Sequence, residues 1–502
     1  MVYDTAMETL QIHTDFDLCY RALCSRDARF DGRFFTGVTS TGIYCRPICP
    51  ARTPLAKHVR FYSCAAAAES AGFRACRRCH PEASPGSPDW NVRADIVARA
   101  LRLIADGTVD TDGVTGLAQR LSVSERHLHR ELTTEIGVGP LALARSRRAQ
   151  TARILIDQTS LSLTTIAFTA GFSSIRQFND SMQEAFGCAP SELRRHVPSR
   201  RDADGRLTLR LQYRPPFNAE ELLGYLGKRA LPGVEEVVNG RYRRTLAFSR
   251  SKGILEIEPL ADIHALAVHL CLDDLSDLSQ IVQRCRNLFD LDADPAAIAA
   301  ILGADPIIAP LVEKRPGLRI PGSINGFELA VRAIIGQQVS IAGARTLAGR
   351  LVAAHGDHLS EPKGALTHFF PTPEQILNAD PTTRGMPRTR AAALQALARA
   401  VAEGDLVLDR DADREQTMDQ LLKLPGVGPW TASYIAMRAL GDPDAFPGTD
   451  LAIQKALKQH DIATDPKGLA RRAEAWRPWR AYVTYHLWAN LPETPSKRPR
   501  KE

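Results

Sequence analysis

Residues 424–440 read LPGVGPWTASYIAMRAL. Pro425 and the Gly426-x-Gly428 pair interrupt two helix-forming stretches, a pattern that predicts a tight hairpin between two helices. Glycine tolerates positive φ and lets backbone amides approach a phosphate closely, so this loop suits sequence-independent binding to a nucleic-acid backbone. Downstream, FPGTDLAIQKAL (446–457) places Asp450 22 residues after Gly428. It falls at a helix start, where the helix dipole favours negative charge. Taken alone, Asp450 is either an N-cap or a site residue.

Outward from that stretch the chain has 502 residues, material for about three or four domains. Apolar residues make up 44% and charged residues 24%, which excludes collagen-like, low-complexity and wholly disordered chains. A net charge of +7 and a pI near 8.9 lean toward a polyanionic partner. No apolar run reaches the roughly 18 residues a membrane span needs. The first twenty residues carry Asp4, Glu8, Asp15 and Asp17 and lack the apolar region of a secretory signal. The expectation is a cytoplasmic protein with no membrane partner and reduced cysteines.

Composition breaks mark four domains. PEASPGSP (81–88) and RRHVPSRRDADGR (194–206) read as linkers, LDADP (291–295) as a shorter break, and the basic tail from Pro492 as frayed. Residues 1–84 mix short strands such as FFTGV with cysteines, a small α/β domain. Residues 88–196 are helical throughout. Residues 206–290 alternate helices with the strand-like runs LTLRLQY, YRRTLAFS, GILEIEPL and ALAVHLCL, an α+β domain. Residues 291–493 are nearly all helix and are read as all-α. The fold class is thus multidomain α+β.

Seven of the ten cysteines lie before residue 80 and none after 285, so the C-terminal half has no four-cysteine iron–sulfur cluster of its own. Cys45-x3-Cys49 and Cys76-x2-Cys79 form two close pairs that can close a tetrahedral all-sulfur site suited to one Zn²⁺ per chain. On spacing alone such a site is structural. Cys19, Cys24 and Cys64 fall outside the pairs and read as packed thiols.

Residues 114–140 and 163–193 each read as two helices around a turn. In the first, Ser122-x-x-Glu125 looks like a capping box. Leu128, Leu132 and Ile136 form an apolar face opposite Arg126, His127, His129 and Arg130. In the second, Gly171 supplies the turn, Ser174-x-x-Gln177 looks like a capping box, and Phe178, Met182 and Phe186 form the buried stripe. A second helix of this kind enters a DNA major groove, which assigns Arg126, Arg130 and Arg176 to DNA contact; the alternative is a pair of ordinary helical hairpins. Between the units, Arg145, Arg147 and Arg148 are either phosphate contacts or a solvated face.

TGIYCRPICPAR (41–52) with GFRACRRCHPE (72–82) resembles the N-terminal domain of the Ada-type alkylation-response proteins, over about residues 12–84. The resemblance implies that Cys45 is both a zinc ligand and the nucleophile that takes a methyl group from a DNA methylphosphotriester. Four thiolates around Zn²⁺ carry a net charge of about −2 and stay deprotonated at neutral pH. Methylation of Cys45 removes one negative charge, so affinity for DNA should rise. The flanking Arg46, Arg52, Lys57, Arg60, Arg74, Arg77 and Arg78 suit contact with the phosphates. The tandem helical units, ending in GVGP and GCAP, resemble the AraC-type DNA-binding module.

The C-terminal half resembles the AlkA-type 3-methyladenine glycosylases of the helix-hairpin-helix superfamily, through RPGLRIPG (315–322), FELAVRAIIGQQVS (327–340), LPGVGPWTASY (424–434) and RAEAWRPWRAYVTYHLW (472–488). The resemblance implies catalysis by Asp450, an aromatic base pocket of Trp430, Tyr434 and Trp488, DNA-phosphate binding at Gly426 and Gly428, and a wedge at Gln338 where the family has leucine. Trp430 stands where glycosylases with a lyase step carry lysine, which implies monofunctional base removal. Trp476 and Trp479 read as core. No Pro-Cys-His-Arg motif occurs, so direct repair of O6-methylguanine is not expected. The implied partner is double-stranded DNA, as alkylated lesions and as a promoter operator, with RNA polymerase as a further contact of an activator. Two alternatives remain: a transcription regulator whose glycosylase half only binds DNA, and a glycosylase whose N-terminal half only targets it.

Overall fold

A computed structural model describes residues 13–84, 96–195, 206–379, 386–458 and 466–491. Linker positions 85–88 and 196–205 and the tail from Pro492 lie outside the described residues. The linker ends that are described are docked. Pro81 and Glu82 are buried, and Arg194 donates to the carbonyls of Thr159 and Leu161 at 2.9 Å.

The first unit is a four-stranded sheet in the order β3-β1-β2-β4, with β1 Phe35–Val38, β2 Ile43–Cys45, β3 Val59–Tyr62 and β4 Arg74–Ala75. β1 is antiparallel to β2 and β3, and β4 is parallel to β2. Gly37 has no room for a side chain, because a Cβ there would stand 2.8 Å from the Tyr62 ring and 3.0 Å from Phe73. Tyr44, fully buried beside Cys45, donates to Glu69 Oε1 at 2.7 Å and pins the strand to the helix Ala65–Ser70. Of the three cysteines expected to be packed thiols, Cys19 is buried and Cys64 half-buried, but Cys24 is exposed, because it lies on the outer face of the helix Phe16–Ser25.

Both helical units form, with one correction to the first. Ser124 caps the helix Glu125–Ile136 by accepting from His127 N at 3.2 Å, and Ser122 occupies the turn at φ +58°. Glu125 accepts from Thr115 instead of closing a box. In the second unit Ser174 does cap the helix Ile175–Phe186, whereas Gln177 reaches the N–H and hydroxyl of Ser173 at 3.0 Å. Gly171 adopts φ +92°, and a Cβ there would stand 2.6 Å from Asp110, just before the first unit. The helix Pro140–Gln158 joins the two units. Its Arg147 and Arg148 both turn inward to Asp110, so neither is a phosphate contact nor part of a solvated face; Arg145 is exposed beside Glu184.

A five-stranded antiparallel sheet follows, in the order β5-β9-β8-β7-β6: β5 Leu207–Gln212, β6 Glu235–Val238, β7 Arg241–Ala247, β8 Lys252–Leu260 and β9 Ala265–Leu272. The four strand-like runs are strands, and the short EEVV strand adds an edge that no run of alternation announced. The remainder is helical apart from a two-stranded ribbon of β10 His358–Lys363 and β11 Leu366–His368, which a purely all-α reading omits.

The units are not separate beads. One buried apolar cluster runs from Phe35 and Tyr44 through Phe178 and Phe186 to Leu209, Val268 and Leu291. Arg214 donates to the carbonyls of Asp31 and Asp292, and Arg33 pairs with Asp294, which caps the helix Pro295–Leu302. Arg284 pairs with Asp409 and lies 3.5 Å from Asp106. Among the described residues no helix is long and apolar enough to cross a membrane.

Removing the carboxylate that Arg147 and Arg148 share leaves two guanidinium groups inside the helical module without the ion pair that holds them together. Asp110→Asn is expected to lose about 3 kcal/mol of stability in denaturant unfolding followed by the helical signal. A midpoint equal to wild type would show that the cluster carries no weight.

Candidate functional site

Two constellations stand out. In the first, β2 delivers Cys45 opposite Thr36 of β1, the following turn carries Cys49, and Cys76 and Cys79 follow β4. All four side chains are buried, and their sulfurs lie within 4.8 Å of one another. Tetrahedral Zn–S bonds of about 2.3 Å place sulfurs about 3.8 Å apart, so the cage has the right size. Backbone N–H groups of Arg46 and Arg78 point at the sulfurs of Cys79 and Cys76, each at 3.4 Å. The four thiols share their protons through mutual hydrogen bonds, which hold Cys49 down, at about 7, and Cys76 lower still, and push Cys45 and Cys79 up. A dry all-sulfur cage with amides turned toward it suits thiolates, and it fits one zinc ion.

Cys45, Cys49 and Cys76, but not Cys79, line a cavity of about 460 Å³ whose wall includes Thr36, Arg52, Arg74, Arg77, Arg78 and, from the second helical unit, Phe186. The four arginines are exposed, as are Lys57 and Arg60. Arg46 departs from its assignment as a DNA contact. It is 5% exposed, paired with Asp31, and donates to the Cys79 carbonyl and to Gln212 of β5. Its position directly after a metal ligand turns it into the interior, where it braces the cage.

The second constellation centres on Asp450. Its Oδ1 accepts from Ala452 N at 2.8 Å and Ile453 N at 2.9 Å, so it does cap the helix Leu451–Lys458. Two indoles also converge on it. Trp430 Nε1 donates to Oδ2 at 2.6 Å, and Trp488 Nε1 donates to Oδ1 at 3.2 Å. Asp450 is 8% exposed, and the next residue, Leu451, is 80% exposed. The two readings of Asp450 are therefore compatible. The hydrogen bonds from Trp430 and Trp488 were not foreseen, because their spacing suggested rings and said nothing of where the N–H would point.

Around the carboxylate, Trp430 stacks on Tyr434 (centroids 5.3 Å, planes 9° apart), and Trp488 lies 6.2 Å from Tyr434. Sequence reasoning missed three members of this wall. Tyr225, on the helix Ala219–Arg229, contacts the Tyr434 hydroxyl at 3.2 Å; Tyr485 lies between Tyr225 and Trp488; Arg438 donates to Tyr434. Arg438 sits one helical turn after Tyr434 on the helix Pro429–Arg438, a spacing that could have flagged it. Trp476 and Trp479 are core residues.

The hairpin lies beside this wall. Gly426 has φ +77°, Gly428 caps the helix Pro429–Arg438, and a Cβ at Gly428 would meet nothing within 4 Å. Gln338 is exposed at φ +56° in the loop between the helices Gly326–Ile335 and Ile341–His355. Its neighbour Gln337 ties that loop to the hairpin, donating to Gly426 O at 2.8 Å and Thr431 Oγ1 at 3.0 Å. On the recognition helices Arg126, Arg130 and Arg176 are exposed.

Four protein families match consecutive parts of the chain: the metal binding domain of Ada over residues 18–82, a helix-turn-helix domain over 117–196, the AlkA N-terminal domain over 208–325, and the HhH-GPD superfamily base excision DNA repair protein over 331–481. The probable bifunctional transcriptional activator/DNA repair enzyme AlkA of Mycobacterium tuberculosis is 51% identical over 495 residues, covering 98% of this chain and 99% of that protein. DNA-3-methyladenine glycosylase 2 of Escherichia coli is 36% identical over 55% of this chain and 95% of its own length. The bifunctional transcriptional activator/DNA repair enzyme Ada of Escherichia coli is 34% identical over 36% of this chain and 49% of its own. Among solved structures, the 3-methyladenine DNA glycosylase of Archaeoglobus fulgidus shares the fold at a TM-score of 0.50 and 21% identity, over 56% of this chain and 97% of that one. The cysteine cage is a zinc site of the Ada type. With all four modules in order and a relative matched end to end, the chain belongs to the bifunctional transcriptional activator/DNA repair enzymes that join an Ada-type regulator to an AlkA-type DNA glycosylase.

Proposed function

We propose that the C-terminal half removes alkylated purines such as 3-methyladenine and 7-methylguanine from double-stranded DNA, with Asp450 as the catalytic carboxylate. The observation that carries this reading is the pair of indole N–H groups gripping Asp450 beside an aromatic wall. Alkylation at N3 or N7 makes the base a cation and weakens its bond to the sugar. The base leaves the stack, Gln338 and its exposed neighbours Val339 and Ile341 fill the gap, and the rings of Trp430, Tyr434 and Trp488 attract the positive base. As the N-glycosylic bond breaks, its electron pair leaves with the base. Positive charge on the sugar is stabilised by Asp450, which also orients the attacking water. Trp430 offers no amine, so no covalent sugar adduct forms. The products are the free base and an abasic site in an intact strand. The hairpin at Gly426 and Gly428 holds the backbone.

The N-terminal half we read as the sensor. The zinc ion, when bound, keeps the four thiolates deprotonated. The Cys45 sulfur attacks the methyl carbon of a methylphosphotriester, the methyl C–O bond breaks, and its electron pair leaves on the phosphodiester. Arg52, Arg74, Arg77 and Arg78 hold the backbone beside the cavity. Methylation lowers the negative charge of the cage, so the exposed helices carrying Arg126, Arg130 and Arg176 grip an operator more tightly and RNA polymerase is recruited there.

Metal analysis should find about one zinc per chain, lost in the Cys76→Ser/Cys79→Ser double variant; zinc retained at full occupancy would refute the cage. After exposure to methylphosphotriester DNA, mass spectrometry should place the methyl group on Cys45, operator affinity should rise, and Cys45→Ala should not respond. A methyl group on Cys49 or Cys76 would overturn the role of Cys45. Asp450→Asn keeps the cap and removes the charge, and should lower single-turnover release of 3-methyladenine by about 10²-fold or more with DNA affinity little changed. Borohydride should trap no covalent complex. Base release near the wild-type rate would mean that another group carries the chemistry.

A further inference from the structure

Behind the aromatic wall lies a charge that the base-removal mechanism does not use. Arg438 is buried, with Nε donating to Pro321 O at 2.6 Å and Nη2 to Gly322 O at 3.0 Å. Its remaining nitrogen, Nη1, donates to two phenol oxygens, Tyr434 at 2.6 Å and Tyr225 at 3.0 Å. Arg229 stacks over the Tyr225 ring at 3.8 Å. Among the described residues neither Arg229 nor Arg438 forms an ion pair with a carboxylate. Deeper in, Arg244 and Arg332 are matched by Glu235 and Glu328, so those acids are already engaged.

A buried guanidinium without a counter-ion is costly. Here it would also work against the pocket. The Arg438 charge is 5.5 Å from the centre of the Tyr434 ring, so a cationic base held at the wall of Trp430, Tyr434 and Trp488 would feel its repulsion. Hydrogen-bond accounting suggests the remedy. The Tyr225 and Tyr434 oxygens, 3.2 Å apart, both accept from the same nitrogen, so one proton suffices for the contact between them.

We propose that Tyr225, as a phenolate, is the counter-ion of Arg438, and that this pair sets the preference of the pocket for positively charged bases over neutral ones. The proposal rests on the base-removal reading and names the residues that tune it. Tyr225 acts through Arg438 and is a positioning residue for charge; Asp450 remains the catalytic group.

The groups facing Tyr225 are Arg229 from its own helix, Arg438 and Tyr434 from the helix Pro429–Arg438, and Tyr485 from the helix Arg480–Asn490. Burial opposes ionisation of Tyr225, but Arg229 and Arg438 outweigh it and bring the phenol down to about 7. Burial dominates at Tyr434 and Tyr485, whose phenols are pushed up. Below that value Tyr225 is neutral and Arg438 is bare. Above it the pair is neutral overall and a cationic base is admitted, so release of 3-methyladenine should rise through neutral pH.

The test uses the full chain. Tyrosinate absorbance, followed between about pH 6 and 9, should show one step centred near 7 in wild type, absent in Tyr225→Phe and moved upward in Arg229→Met. Above the step, Tyr225→Phe should release cationic 3-methyladenine about ten-fold more slowly and without the pH rise, while release of neutral hypoxanthine is unchanged or faster. A step that survives in Tyr225→Phe, or equal losses for the two bases, overturns the proposal. Failure of wild type to release any base would instead overturn the base-removal reading on which the pair depends.

Discussion

A guanidinium taken out of water brings a charge and five N–H donors, and it is stable there only if most of them find an acceptor. Much of this architecture follows from that demand. Arg214 satisfies it with the carbonyls of Asp31 and Asp292, joining the zinc unit to the five-stranded sheet and the helices beyond. Arg319 takes the carbonyls of Arg214 and Asp290, and Arg284 takes Asp409 across from the helical module. Carbonyl oxygens sit at fixed places on the backbone, so each such contact fixes the approach of one unit to another more sharply than apolar packing does. The modules are thus joined through buried polar contacts, with the zinc cage braced by Arg46 against the same Asp31 that receives Arg214.

The same demand explains what the sequence could and could not tell. Periodicity and turn chemistry were legible: the four long strands, the buried stripes Leu128–Leu132–Ile136 and Phe178–Met182–Phe186, and the turn at Gly171 all follow from short-range patterns. So was the cage, because ligand spacing is itself a geometric statement. Arginine roles were not. Arg46 read as a phosphate contact, and Arg147 and Arg148 as phosphate contacts or a solvated face, yet Asp31 and Asp110 claim them from beyond the reach of any local pattern. Ser122 and Ser124 differ only in which hydroxyl faces the first free N–H, a matter of one turn's dihedral angles. Tyr225 sits more than two hundred residues before the helix it completes, and no local pattern links them.

Both sites set a negative group against a polyanion, and both meet the repulsion without placing an amine at the reactive atom. Backbone N–H groups point at the sulfurs of the cage, and exposed arginines rim its cavity. At Asp450 two backbone N–H groups and two indole N–H groups converge on one carboxylate. Neutral donors stabilise the anion without cancelling its charge, which matters because in the proposed mechanism that charge is what developing positive charge on the sugar must meet. A lysine at position 430 would form an ion pair with Asp450 and offer a nucleophile to the sugar. An indole does neither, and its ring adds an apolar wall for the departing base. In the proposed mechanism one aromatic residue therefore fixes the orientation of the carboxylate, the character of the pocket and the absence of a strand-cutting step.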